Sequence, residues 1–188
     1  EEIKLASISV KDNHLTLHGE DDKIGLRFDY DNHSELANNG EIILNGLLSR
    51  DEDGAGIDLN ILPSSVYINN KKWQITDSRI AAKSKEFDVR SFSLLSGDEE
   101  IFLNGKISKE NVDTLNMNLN RFDISLFNEA IGKDVGVKGI ATGIVQLTSP
   151  MKEKGLLIDM ICDSTYIASA PLGVVTVGSR WNETDQNF

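Results

Sequence analysis

Polar and apolar positions alternate along most of this chain, most clearly between residues 135 and 181. In the segment 135–147 the odd positions carry no polar side chain, whereas the even positions include Lys138, Thr142 and Gln146. Successive side chains of a β-strand point to opposite faces, so this alternation predicts a strand with one apolar and one polar face. Two further segments of the same kind follow without an amphipathic helix between them.

Turn signals separate similar alternating segments from the N-terminus onward. The clearest are Asn38-Asn39-Gly40, the charged tip that ends at Gly54, and Ser96-Gly97-Asp98, which combine residues that favour tight turns. The segment from Phe87 to Leu95 is predicted as a strand of unassigned register, because its apolar residues occupy both parities.

One stretch, residues 123–132, departs from this pattern. Ile124, Phe127 and Ile131 recur there at helical spacing, Asp123 offers an N-cap, and a glycine closes the stretch. One short helix among about a dozen strands predicts an all-β protein.

The chain contains an internal repeat. The sequence Glu41-Ile-Ile-Leu-Asn-Gly46 returns as Glu100-Ile-Phe-Leu-Asn-Gly105, and each copy precedes a polar tip and another alternating strand. The approximate repeat units are residues 41–62 and 100–120. Repeated hairpin units are typical of quasi-one-dimensional stacks. We therefore interpret residues 1–188 as one β-rich segment of a longer repetitive protein.

Composition and motifs exclude several kinds of function. The net charge of −11 would repel a phosphate backbone, so no nucleic acid is expected as a partner. His14 and His18 lie about 13 Å apart if they share a strand, too far to hold one ion. No phosphate loop, nucleophile elbow or zinc-spaced cysteines occur. The sequence predicts no enzyme, metal site or cofactor, and Cys162 in an apolar strand is interpreted as a small buried hydrophobe.

The apolar face of such a sheet has to be covered, since burying apolar surface contributes roughly 25 cal/mol per Å². The sequence has almost no helix to cover it. The sheet can close on itself as a sandwich or barrel, or form an open trough that holds something else apolar. Periodicity alone leaves both open.

The order of several short motifs resembles a known family. They are Trp73-Gln-Ile75, Phe92–Gly97, Ile101–Ser108, Leu115–Leu119, Val137–Gly143, Gly155–Ile158, Leu172–Val175 and Arg180-Trp181. In this order, over residues 73–181, they resemble the TamB-like translocation and assembly module proteins of diderm bacteria, within the wider AsmA-like group.

The resemblance implies a fold, a location and partners. It implies an elongated, curled antiparallel β-sheet, a taco-like trough, in an internal or late periplasmic segment of an inner-membrane-anchored protein. An apolar groove would there transport phospholipid between the inner and outer membranes, in outer-membrane biogenesis. A BamA-like outer-membrane barrel protein would be met through other parts of the full-length protein. The apolar parity of the clearest strands gives the candidate lining for acyl chains: Leu115, Met117, Leu119, Val145, Leu147, Leu156, Ile158, Met160, Val175 and Val177.

Two other functions remain open at this point. One is a scaffold or chaperone for outer-membrane protein assembly and secretion, in which exposed strand edges pair with client strands. The other is a closed β-sandwich binding module. A trough segment without its neighbours also exposes unpaired ends, so an end-to-end dimer is expected.

Overall fold

The protein is an all-β chain with a curled antiparallel sheet. In this computed structural model the described residues are 3–5, 8–10, 12–33, 37–51, 54–83, 86–108, 113–126, 128, 136–148 and 155–182. Their strands are β1 (Ile3–Leu5), β2 (Ile8–Val10), β3 (His14–Glu20), β4 (Lys23–Asp31), β5 (Asn39–Asp51), β6 (Gly54–Ile61), β7 (Ser64–Ile68), β8 (Lys71–Ile75), β9 (Ser78–Lys83), β10 (Glu86–Ser96), β11 (Glu99–Ile107), β12 (Thr114–Asp123), β13 (Val137–Thr148), β14 (Gly155–Ile167) and β15 (Ala170–Asn182).

Strands β3 to β15 form one 13-stranded sheet, and β1 and β2 pair separately. Strand β5 pairs with β7 near its start and with β6 along the rest of its length, while β10 pairs with β9 and then with β8. In the sheet, β6 and β7 together therefore occupy one strand position, interrupted between Ile61 and Ser64. In the same way β8 and β9 occupy the next position, interrupted between Ile75 and Ser78. The sheet is an antiparallel meander in which each strand lies beside its neighbours in sequence, with β3 and β15 at its outer edges. All of these strands belong to one continuous sheet.

The interruption between β6 and β7 is a bulge beside β5. Leu62 donates its backbone N–H to the Ile43 carbonyl at 2.9 Å. The Ser64 hydroxyl accepts the Ile43 N–H at 3.1 Å and donates to the Leu62 carbonyl at 2.7 Å. The hydroxyl thus supplies the acceptor for the Ile43 N–H at the place where the ladder is interrupted.

One face of the sheet, which we call the apolar face, carries Trp73, Leu119 and Phe122. Cross-strand partners share a face, and the registers connect this face without a break from Leu17 on β3 to Val177 on β15. The buried apolar residues all lie on it: Ile61, Val66, Trp73, Ile75, Val89, Leu119, Phe122, Ala141 and Cys162. The opposite, outer face carries most of the charged residues.

The structure corrects one local prediction. Asn39 and Gly40 belong to β5, where they pair with Asp31 and Tyr30, so the predicted turn at Asn38-Asn39-Gly40 is wrong in its last two residues. Within the predicted helix over residues 123–132, the described residues form a 3-10 turn at Ile124–Leu126, and Asn128 is α-helical. Phe127 and Ile131 lie outside the described residues.

Several other predictions are confirmed. Asp123 does cap the short turn, because its carboxylate accepts the Ser125 N–H at 2.9 Å. Gly97 adopts a φ of 60° in the predicted turn after β10, a conformation that glycine reaches without strain. Cys162 is a free, buried thiol.

The two copies of the sequence repeat occupy equivalent places. Gly46 on β5 and Gly105 on β11 both lie on the apolar face. At Gly46 an added Cβ would meet the Leu59 side chain, and at Gly105 it would meet the backbone of Thr114. In both copies the lack of a side chain at the glycine allows the next strand of the meander to pack closely against it.

Candidate functional site

The ten candidate lining residues lie together on the apolar face of four adjacent strands. Leu115 of β12 pairs with Leu147 of β13, which pairs with Leu156 of β14. The next row holds Met117, Val145 and Ile158. These rows are continuous, so the predicted parity of each segment is confirmed.

The third row of candidates is interrupted by a glycine. Leu119 pairs with Gly143, whose opposite partner Met160 pairs in turn with Val177. Val175 lies one row further, opposite the buried Cys162. An added Cβ at Gly143 would meet the backbone of Asp159 and the backbone and side chain of Met160, so β14 already occupies the place of the missing side chain.

Access to the ten candidates is uneven. Leu119 belongs to the buried core cluster, and Met117 and Met160 pack against that cluster. Val177 on the outermost strand is 36% exposed, and the other candidates are half-buried. On the opposite edge of the sheet, Leu15 and Leu17 are 58% and 62% exposed on the same apolar face. Both edges therefore present apolar side chains to solvent.

The candidate lining omits the half of the apolar face that precedes β12. Phe28 and Tyr30 of β4 lie on it, with ring centroids 5.9 Å apart. Ile42 and Leu44 of β5 pack against the buried cluster. The alternation in β4 is as regular in the sequence as that of β12, so the same parity argument finds Phe28 and Tyr30. In β5, Ile43 and Leu47 place apolar side chains on the other parity as well, so periodicity alone does not assign Ile42 and Leu44 to the apolar face.

Trp73 is the buried centre of this face, at 1% exposure. Its indole N–H has no hydrogen-bond acceptor among the described residues. The Lys71 ammonium lies 5.2 Å from the centroid of the Trp73 ring and pairs with the Glu99 carboxylate of β11. The other Glu99 oxygen accepts the Asp123 N–H at 3.1 Å. Glu99 therefore ties β8 to the end of β12 beside the tryptophan.

The outer face is held by charged pairs in solvent. Arg27 binds Asp29 at 3.0 Å and Glu41 at 3.1 Å, and hydrogen bonding to Asp29 raises the pKa of its guanidinium. Arg79 donates to Asp58 at 2.7 Å from its Nε, and this hydrogen bond lowers the pKa of the Asp58 carboxyl. The Arg27–Glu41 and Arg79–Asp58 pairs each connect neighbouring strands, whereas Arg27–Asp29 lies within β4.

The chemistry of the site is collective. Within the described ranges, no three His, Cys, Asp or Glu residues are grouped so as to hold a metal ion. In the same residues, no helix is long and apolar enough to cross a membrane. The centre of the apolar face is buried, whereas its two edges expose Leu15, Leu17 and Val177. Such apolar edges suit hydrocarbon groups rather than a compact polar ligand.

Comparison of this chain with protein-family models, with curated proteins and with solved structures finds no match.

Proposed function

We propose that this chain forms part of an apolar groove that carries phospholipid between the inner and outer membranes, in a periplasmic segment of a protein that acts in outer-membrane biogenesis. The observation that supports the proposal is the single apolar face that runs across the 13-stranded sheet. Acyl chains would cover the parts of this face that remain open to solvent. The headgroups would stay in water at its margins.

The exposed ends of the apolar face support this function over a purely structural core. Leu15, Leu17 and Val177 are exposed at the two edges of the apolar face, where hydrocarbon can lie against them. Hydrocarbon placed over them would remove apolar area from water at roughly 25 cal/mol per Å². No single residue dominates such binding, because hydrocarbon has no polar handle.

Photo-crosslinking tests the proposal with neighbours that face opposite ways. A photoreactive amino acid replaces Val177 or Thr176 on β15, and Met117 or Asn118 on β12, with Thr176 and Asn118 exposed on the outer face. The purified chain is incubated with phosphatidylethanolamine vesicles, irradiated and analysed by mass spectrometry. We expect lipid adducts at positions 177 and 117 and almost none at 176 and 118. Equal labelling of both faces, or none, would remove the basis for lipid transport.

A second function draws on a different observation. The outer strands β3 and β15 each pair with only one neighbour among the described strands, so their second edges can accept an extended client strand. This is the scaffold or chaperone role in outer-membrane protein assembly. Fluorescent peptides from barrel strands would then bind with a Kd unaffected by lipid. Loss of that binding upon filling the groove with lipid would instead favour the transport role.

A further inference from the structure

The β1–β2 hairpin is amphipathic in its register. Ile3 pairs with Val10 and Leu5 pairs with Ile8, whereas the pair between them is polar. Cross-strand partners share a face, so the apolar positions fall on one face of the hairpin and the polar positions on the other. Among the described strands, the hairpin pairs with none of the large sheet. A two-stranded hairpin of this kind is stabilised when its apolar face packs against another apolar surface.

The nearest apolar surface along the chain is the β3 margin, by which we mean Leu15 and Leu17 on the apolar face of the sheet. These leucines are 58% and 62% exposed. Only residues 11–13 separate β2 from β3. The chain from Val10 to His14 can span about 13 Å, whereas packed sheets lie about 10 Å apart. The connection is therefore long enough for the hairpin to lie over the β3 margin.

The connection bends at Asp12 and is held against the sheet there. Asp12 has a φ of 41°, a left-handed conformation that turns the chain away from the line of an extended strand. Its carboxylate lies 2.7 Å from the Nε2 of His33, which follows β4. The other ring nitrogen of His33 lies 3.4 Å from the Asp31 carboxylate. These contacts keep the connection beside the sheet, so β2 ends two residues from a fixed point.

Direct pairing of β2 with the edge of β3 would separate the two apolar surfaces. A two-residue turn closes each hairpin at a pair that exchanges both backbone hydrogen bonds, Leu5 with Ile8 and Glu20 with Lys23. Because hydrogen bonding alternates along a strand, the outward backbone groups belong to Ser9 in β2 and to the odd-numbered residues in β3. Joining these edges would set Ser9 opposite a leucine and turn its apolar neighbours to the outer face. Packing the hairpin over the face avoids this mismatch.

We propose that the β1–β2 hairpin is a lid that closes over Leu15 and Leu17 at the β3 margin. Closure removes the two exposed leucines from water. The short connection favours the hairpin over a separate molecule, because it holds the two surfaces at a high effective concentration. An acyl chain that enters the groove at this margin then has to displace the lid. This last step rests on the proposed transport function, whereas closure itself does not.

Thiol labelling of the β3 margin tests closure in the lipid-free chain. In a Cys162→Ala background, Leu17→Cys reports on the apolar face, and His18→Cys, exposed on the outer face of the same strand, is the control. We expect a maleimide to label Leu17→Cys at least about tenfold more slowly than His18→Cys. Val10→Asp, at an apolar position of the lid, should restore fast labelling at position 17, and Ser9→Asp, at a polar position, should not. Equal rates at positions 17 and 18, or the same response to both aspartate variants, would overturn the lid.

Cross-linking tests where the lid closes. In the same background, Ile8→Cys and Leu17→Cys are joined by a bis-maleimide that spans about 10 Å, the spacing of packed sheets, and the intramolecular product is measured by mass spectrometry. We expect a high yield for this pair and a low yield for Ile8→Cys with His18→Cys. Equal yields for the two pairs, or no product with Leu17→Cys, would contradict closure over the apolar face.

Lipid separates the lid from the transport function. Phosphatidylethanolamine vesicles should lower the yield of the cross-link between positions 8 and 17. An unchanged yield, in a sample where a photoreactive residue at position 177 does form lipid adducts, would overturn displacement of the lid by acyl chains. Absence of lipid adducts at every position would remove the transport function, and closure would still be decided by the lipid-free results.

Discussion

Trp73 and Phe122 meet with ring centroids 6.1 Å apart and ring planes at 42°, although β10 and β11 lie between their strands. Adjacent strands are spaced by about 4.8 Å, so a flat sheet would hold these two backbones about 14 Å apart. The two rings therefore reach towards each other over the intervening strands. This contact joins the early and late halves of the meander.

Loss of the Phe122 ring should be costly. Phe122 is 3% exposed, and Phe→Ala substitutions in cores cost about 3–5 kcal/mol through lost burial and a residual cavity. We expect Phe122→Ala to lower the free energy of unfolding by that amount in urea titrations. Phe102→Ala is the matched control, because Phe102 is half-buried on the outer face of β11 and should cost clearly less. Equal losses of unfolding free energy in the two variants would mean that the contact of Phe122 with Trp73 adds no stability beyond that of a half-buried ring.

The Glu99 tie should contribute through two separable contacts. Glu99→Gln keeps an oxygen for the Asp123 N–H but loses the charge that pairs with Lys71. Glu99→Ala loses both. Hydrogen bonds to charged groups contribute about 1.5–3 kcal/mol, so the alanine variant should be destabilised by that much and the glutamine variant by less. A double-mutant cycle with Lys71→Met measures the coupling by urea unfolding, and a coupling near zero would contradict the tie.

The parity of each strand was predictable wherever one parity holds along its whole length. Residues 115–119 alternate without interruption, and the structure keeps their leucines and methionine on one face. Between Phe87 and Leu95 the apolar parity changes instead. A bulge lies there, with Ser91 at a φ of 55° and its N–H donated to the Asn104 side chain at 3.2 Å. The extra residue restores Phe92 to the apolar face. Sequence periodicity shows that the apolar parity changes within this segment but does not show at which residue the bulge lies.

The side-chain contacts at the centre of the core were harder to predict than the face of the sheet on which each residue lies. Trp73 looks isolated in the sequence because its main aromatic partner, Phe122, lies on a distant strand. Local periodicity assigns a face but gives no information on how far a sheet curls or which rows meet. Tertiary context also explains why the turn predicted at Asn39-Gly40 is wrong. The two residues favour a turn locally, but their backbone pairing with β4 holds them in a strand.

Acid should weaken the Asp58–Arg79 pair. The hydrogen bond from Arg79 holds the pKa of Asp58 below its usual range. The pair therefore stabilises the fold above the unfolded pKa of about 3.9, and this contribution is lost as the pH falls through the lower folded value. Between about pH 5 and pH 2, Asp58→Asn should lose less stability than the wild type in urea titrations. An identical pH dependence of stability in Asp58→Asn and the wild type would contradict the assignment.

Thiol labelling should distinguish the two faces of β14 at adjacent positions. Cys162 is 6% exposed on the apolar face, whereas Ile161 is 54% exposed on the outer face. Burial also raises the pKa of the Cys162 thiol, which lowers the fraction of reactive thiolate near neutral pH. A maleimide should therefore label Cys162 at least about tenfold more slowly than Ile161→Cys in a Cys162→Ala background, since an opening cost of about 1.4 kcal/mol already reduces the reactive population tenfold. In urea both thiols should react at similar rates. Fast labelling of Cys162 in the native chain would show that this part of the apolar face is open to solvent.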